Sequence, residues 1–243
     1  MGRSGSELGA VAALLVATAP DAGPPARDLL WRSVGGRRLA SWPLQALTAL
    51  DDLGFCAVIT PLERYADGVR IVEDDQNKTP GRVKVVIPTA SYTWRRALAS
   101  AEVIPPGCDW LIVVDATLPL VTTASLRAGL RAAARTGVAM AGEPVKETLK
   151  RVQGQHVAET PPRDTLRRLL TPVIFRRDAL WRLVESVDPS TTDPNDLVAL
   201  LRSSGAALTV YDADYPCVRV TSEDDIAIVE TLLSQRKSEE RSC

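Results

Sequence analysis

Short apolar runs alternate with amphipathic stretches along most of this chain, and within the runs the apolar residues are continuous. AVAALLVATA (10–19), FCAVIT (55–60), VKVVIP (83–88), WLIVVDA (110–116), GVAMAG (137–142) and ALTVYDA (207–213) lack the every-second-residue polar pattern of a half-exposed strand. Such runs read as strands covered on both faces. Between them, helical periodicity predicts helices over 42–53, 91–102, 122–135, 175–187, 194–203 and 222–233. Three have start signals: Thr123 with Ser125 before Leu126, Thr192 and Asp193 before Pro194, and Thr221 and Ser222 before Glu223 and Asp224. The alternation predicts a doubly wound, mostly parallel α/β sheet, whose ligands sit in loops at the carboxyl ends of strands.

One segment breaks the rhythm. From 144 to 163 (PVKETLKRVQGQHVAETPPR) two polar, extended pieces flank Gln153-Gly154. This reads as a β-hairpin arm leaving the globule, and an arm needs a surface to pack on. A homodimer in which each arm covers the partner supplies one. The remainder is expected to form a single domain, 9–236 including the arm, between flexible polar tails at 1–8 and 237–243.

Composition narrows the function classes. Of 243 residues 45% are hydrophobic, enough to bury a sizeable core. Lys+Arg 29 against Asp+Glu 30 leaves a formal charge of -1, so no global field attracts nucleic acid or an anionic membrane. No run approaches the ~20 apolar residues of a membrane span. The run at 10–19 superficially resembles a signal peptide, but it is short and Glu7 interrupts the basic flank, so it reads as a strand. Four cysteines without CxxC spacing and a lone His156 predict neither a zinc site nor a disulfide framework, which fits the cytoplasm. The pairs Arg95-Arg96, Arg167-Arg168 and Arg176-Arg177 read as helix faces, and the tryptophans as core or groove fillers.

Val113-Val114-Asp115-Ala116-Thr117-Leu118-Pro119 resembles the V-x-D-A-A-R-P signature of 2-C-methyl-D-erythritol 4-phosphate cytidylyltransferases and their ribitol-phosphate relatives. Further matches follow in order. The stretch from Pro144 to Lys150 is similar to P-V-x-D-T-x-K, Thr160 with Arg163 to T-x-x-R, and Leu170 to Phe175 to Q-T-P-Q-x-F. Thr192-Asp193 is similar to the family's T-D pair, and Asp214 with the stretch Arg219 to Asp224 resembles its closing segment. Upstream, Val34 to Leu39 and Leu44 to Leu47 resemble G-G-x-P-L and the helix that follows.

The resemblance implies a Rossmann-like nucleotidyltransferase fold and a reaction joining a sugar-alcohol phosphate to the α-phosphorus of CTP. Such chemistry is positioning and charge neutralisation by a glycine-rich loop, cations and Mg²⁺. The sugar-phosphate side matches residue by residue: Thr148 and Arg163 on the arm, Thr192, and Arg219 in place of lysine. Asp115 and Asp214 match on the nucleotide side, with Asp115 as the implied Mg²⁺ ligand and Asp115 and Arg219 as the catalytic candidates. The loop after the first strand departs: only Gly23 remains, Asp21 adds negative charge, Leu29 stands where lysine is implied and Leu118 where arginine is. The family's serine falls near Arg95. These departures predict a non-catalytic or re-purposed sugar-phosphate-binding homologue that does not turn over CTP and needs no cofactor. The alternatives are an active cytidylyltransferase of isoprenoid biosynthesis, with Arg27, Arg37 or Arg95 as replacement cations, and a structural protein.

Overall fold

The first apolar run folds as β1 (Val11–Val16), and the run at 110–116 as β6 (Trp110–Asp115), with every residue of both strands buried. The two pair in parallel from Val11 with Trp110 to Val16 with Asp115. The computed structural model describes residues 9–18, 23–76, 81–87, 105–186, 198, 201–202 and 205–242. Beyond β1 lie β4 (Leu53–Ile59) and then β5 (Val83–Val86), both parallel. Beyond β6 lie β10 (Arg167–Arg176), β7 (Val138–Pro144) and β11 (Leu208–Asp212). Only β10 runs antiparallel to its neighbours within this seven-stranded sheet of the described residues.

Two cores explain the unbroken apolar runs. Val11, Ala13 and Leu15 pack with residues of α2 (Ser41–Thr48), α4 (Thr123–Thr136) and α6 (Glu223–Ser242) on one face. Ala12, Leu14 and Val16 pack with Leu180 and Leu183 of α5 (Arg177–Ser186) on the other. Alternate residues of one strand therefore feed opposite cores, and both sets must be apolar. Among the described residues no helix is long and apolar enough to cross a membrane.

Several elements differ from the sequence expectation. The strand β10 occupies a stretch read in part as a helix start, and its ladder passes Pro172 by skipping from Leu170 to Val173. Helix α5 begins at Arg177, once Arg176 has completed the strand. Helix α2 stops at Thr48 because Leu53 already belongs to β4. Helix α3 (Tyr65–Gln76) was not expected, since its apolar stripe is reduced to Ile71 and Val72 in an otherwise polar sequence. Helix α6 continues to Ser242 through the segment read as a flexible tail. The expected helix at 91–102 lies outside the described residues, as does most of 194–203. Before α2 come α1 (Gly23–Leu29) and a small antiparallel pair, β2 (Ser33–Val34) with β3 (Arg37–Arg38). The arm is present as predicted, β8 (Arg151–Gln153) paired antiparallel with β9 (His156–Glu159), and all its strand residues are exposed.

Helix α4 shows how local sequence sets the edge of the site. Thr122 caps its start, accepting from the Ser125 N–H at 2.9 Å, and Gly137 ends it at φ 87°. That left-handed conformation favours glycine. Gly129 faces the sheet so closely that a Cβ there would stand 2.5 Å from Ile174 Cδ1 and 2.8 Å from Tyr211 Cζ. Gly129→Ala is therefore expected to destabilise the protein by about 1–2 kcal/mol in urea unfolding, overpacking outweighing the better helix propensity of Ala.

Burial, and secondarily Asp75, pushes the Cys56 thiol from 9.0 up to about 12. The folded state thus holds a neutral thiol while the unfolded chain ionises near pH 9, so the stability it contributes is intact below that pH and lost between it and about 12. Unfolding free energy is expected to fall above pH 9 with a slope approaching ~1.4 kcal/mol per pH unit from this thiol. Cys56→Ala should lower stability at pH 8 yet flatten the alkaline slope.

Candidate functional site

Strands β4 and β5 lie to one side of β1 and β6 to the other, so the chain reverses direction across the sheet between β1 and β6. In open α/β sheets the crevice at the carboxyl ends of two such strands is where ligands bind. Here those ends are joined by the Ala116 N–H donating to Val16 O at 2.9 Å and the Ala17 N–H donating to Ile59 O at 2.9 Å.

Asp115 ends β6 with no solvent exposure. Its Oδ2 accepts from Arg219 Nη1 at 2.6 Å, and its Oδ1 accepts from the Thr117 N–H at 2.9 Å. A buried carboxylate needs such partners, because desolvation of an unpaired charge is costly. The Asp115 N–H donates to Thr171 Oγ1 at 2.9 Å, and Tyr215 Oη donates to Thr171 O at 3.2 Å. Arg219 Nη1 also reaches Thr117 Oγ1 at 3.4 Å, and the Val220 N–H donates to Thr117 O at 2.8 Å. Among the described residues the contacts of Arg219 run through Nη1, leaving Nε and Nη2, on a side chain 23% exposed. The closing loop before α6 is thereby strapped to the end of β6.

A second cation stands at the neighbouring strand end. Arg27 of α1 is exposed and donates from Nε to Thr18 O, 3.1 Å away, just past β1. Thr18 and Thr60, beyond β1 and β4, are buried with hydroxyls that have no hydrogen-bond partner among the described residues. Leu29 and Leu118 are buried in the core, 5% and 1% exposed. Neither can meet a ligand, which accords with the departures noted in the sequence. Of the other replacement cations, Arg37 is bound to Gln45 of α2, and Arg95 lies outside the described residues.

The remaining sequence candidates are not gathered here within one chain. Asp214 is exposed and accepts from Thr122 Oγ1 at 2.9 Å, so it braces the start of α4. Thr148 and Arg163 are exposed at the two roots of the arm. Thr192 lies outside the described residues. Among the described residues no cluster of three His, Cys, Asp or Glu could hold a metal ion. Sequence reasoning gave no role to Thr117 and Thr171, which appear there only inside longer matches: the Thr117 N–H donates to Asp115 Oδ1, and Thr171 Oγ1 accepts from the Asp115 N–H. Cys217, beside Arg219, is likewise structural: burial, then Glu143, pushes its thiol up to about 12.

The family model for IspD, 2-C-methyl-D-erythritol 4-phosphate cytidylyltransferase, matches residues 23–235. A curated 2-C-methyl-D-erythritol 4-phosphate cytidylyltransferase of Streptomyces avermitilis is 28% identical over 224 residues, covering 88% of this chain and 87% of that protein. One from Dehalococcoides mccartyi is 30% identical over 129 residues, 53% of this chain, and the matched stretch spans little more than half, 56%, of that relative. Among solved structures, 4-diphosphocytidyl-2C-methyl-D-erythritol synthase of Anaerococcus prevotii superposes with a TM-score of 0.78 at 17% identity, covering 93% of this chain and 96% of that one. The 2-C-methyl-D-erythritol 4-phosphate cytidylyltransferase of Thermus thermophilus gives 0.68 at 23%, covering 92% and 98%. These superpositions show the same fold. Because the family model runs from the helix after β1 into the last helix, over every strand of the sheet except β1, the chain belongs to the IspD family.

Proposed function

We propose that the chain carries out the cytidylyl transfer for which its relatives are named. A phosphate oxygen of a sugar-alcohol phosphate attacks the α-phosphorus of CTP, the bond between that phosphorus and the α–β bridging oxygen breaks, and its electron pair leaves with pyrophosphate. The observation that carries this reading is the pair of guanidinium groups at adjacent strand ends, Arg27 on Thr18 O and Arg219 on Asp115. Each is held by its own chain, so little side-chain order remains to be imposed when phosphates arrive. Arg27 takes up the triphosphate and Arg219 the sugar phosphate. Mg²⁺ held through phosphate oxygens would neutralise the triphosphate; Asp115, with no solvent exposure and an oxygen bonded to each of Arg219 and Thr117, would have to exchange one of those bonds to serve as its protein ligand. The free, buried thiols of Cys56, Cys108 and Cys217 suit the cytoplasm.

The order of preference set by sequence alone is thereby reversed. A second reading, a homologue that binds a sugar phosphate without transferring to it, rests on the buried Leu29 and Leu118 in place of cations. Pyrophosphate release from CTP-Mg²⁺ and 2-C-methyl-D-erythritol 4-phosphate decides between the two. On the first reading Arg27→Ala and Arg219→Ala each lower kcat/KM by about 10²–10³-fold, while Arg219→Lys keeps the fold and part of the activity. Sugar-phosphate binding by calorimetry with no pyrophosphate above background would establish the second.

The arm completes the site in trans on this proposal. Leu149, Val152 and Val157 are exposed at 46%, 56% and 62%, and Thr148 and Arg163 sit at the arm's roots. A homodimer would cover these apolar side chains and bring the arm of one protomer to the crevice of the other. Solution scattering is expected to give a dimer mass, and Val152→Asp with Val157→Asp should yield a folded monomer with weakened sugar-phosphate binding. A monomeric wild-type chain would refute the exchange.

A further inference from the structure

A second basic cavity lies apart from the crevice. Arg37 of β3 and Arg236 and Lys237 of α6 line a pocket of about 290 Å³, to whose lining Ala46, Ala49 and Val121 also contribute. None of Asp115, Thr117, Arg27 or Arg219 lines it, and neither does any carboxylate. Trp42 organises the cations. Its Nε1–H donates to Val34 O at 3.0 Å, fixing the ring, and the guanidinium of Arg37 lies 5.5 Å and the ammonium of Lys237 5.1 Å from its centroid. Arg37 Nη1 donates to Gln45 Oε1 at 2.7 Å and Lys237 Nζ to Gly35 O at 3.0 Å.

Every partner recorded for Arg37 and Lys237 is therefore neutral: an amide, a carbonyl and an aromatic face. Among the described residues neither forms an ion pair, whereas twelve pairs elsewhere join other cations to carboxylates, so these two cations stand without a carboxylate partner. Ordered cations brought together without a counter-charge repel one another, and an anion entering between them relieves that cost. The alanines and Val121 give the anion's remainder an apolar surface. The size, near the lower end of the ~300–1,000 Å³ of small-molecule sites, suits a compact phosphate ester.

We propose that this pocket is a second binding site, for a small phosphorylated compound whose phosphate lies among Arg37, Arg236 and Lys237 and whose apolar part faces Ala46, Ala49 and Val121. Pro119 and Val121, which border it, belong to the loop that follows Asp115, so an occupant would rest against the back of the loop that anchors the crevice. The inference does not depend on whether the crevice turns over CTP.

Phenyl phosphate tests it in the full-length chain. The ¹⁵N-indole resonance of Trp42, assigned by its absence in Trp42→Phe, is expected to move saturably with phenyl phosphate and to stay put with phenol. Arg219→Gln should leave this titration unchanged. Arg37→Gln combined with Lys237→Gln should weaken it by about tenfold or more, the loss expected from removing charge-assisted hydrogen bonds. In the wild type, raising salt from low to moderate ionic strength should weaken binding in step with a charge-driven contact. A Trp42 resonance unmoved at millimolar ligand, a response equal with phenol, salt-insensitive binding, or a titration lost in Arg219→Gln would each overturn the proposal.

Discussion

Asp115 sits at the end of a central strand with no access to solvent, and a carboxylate in that position must have a cation and hydrogen-bond donors or change its ionisation. Arg219 supplies the cation from 104 residues further along the chain. Meeting this one requirement draws the closing loop over the end of β6. It also fixes where Val220 and Thr117 meet, and with Thr171 and Tyr215 it ties β10 into the same network. The group that would face a substrate phosphate is thus also the group that neutralises the deepest charge in the crevice. Removing the arginine would leave that charge alone, a heavier penalty than the net worth of the pair. Structural and functional demands fall on one residue.

Much of the sheet was legible because its strands are covered on both faces. A strand such as β1, sending Ala13 to one core and Leu14 to the other, has no polar position to interrupt the run. Where burial is partial the signal fades, as in α3, which buries Ile71 and Val72 amid charged residues. Strand β10 was hidden for a different reason: strand-helix alternation implies parallel neighbours, and nothing in it announces an antiparallel insertion around Pro172. The site divided in the same way. Asp115 and Arg219 could be named from a strand end and a resemblance, but Thr117, which bonds Asp115 through its own backbone N–H, and Thr171, which does so through its hydroxyl, were given no role of their own. Arg27, Arg37 and Arg95 were equivalent as sequence. Only geometry places Arg27 at the end of β1 and sends Arg37 to the Trp42 pocket.

The arginine at 219 also bears on the apolar residues at 29 and 118. Where the resemblance implies lysine, arginine brings three donor nitrogens in a rigid plane instead of one rotatable ammonium. In this chain Nη1 is committed to Asp115 and Thr117, while Nε and Nη2 remain to form a bidentate contact with a phosphate. An ammonium could make the first contact or the second with good geometry, and would have to weaken one to gain the other. The guanidinium can keep the buried carboxylate neutralised while it binds an anion, so a phosphate need not break the network that holds the crevice together. On the proposed reading, a crevice that lacks cations at Leu29 and Leu118 depends more heavily on Arg27 and Arg219, the cations at its strand ends among the described residues. An arginine able to serve both partners at once is the chemistry that makes such a reduced set workable.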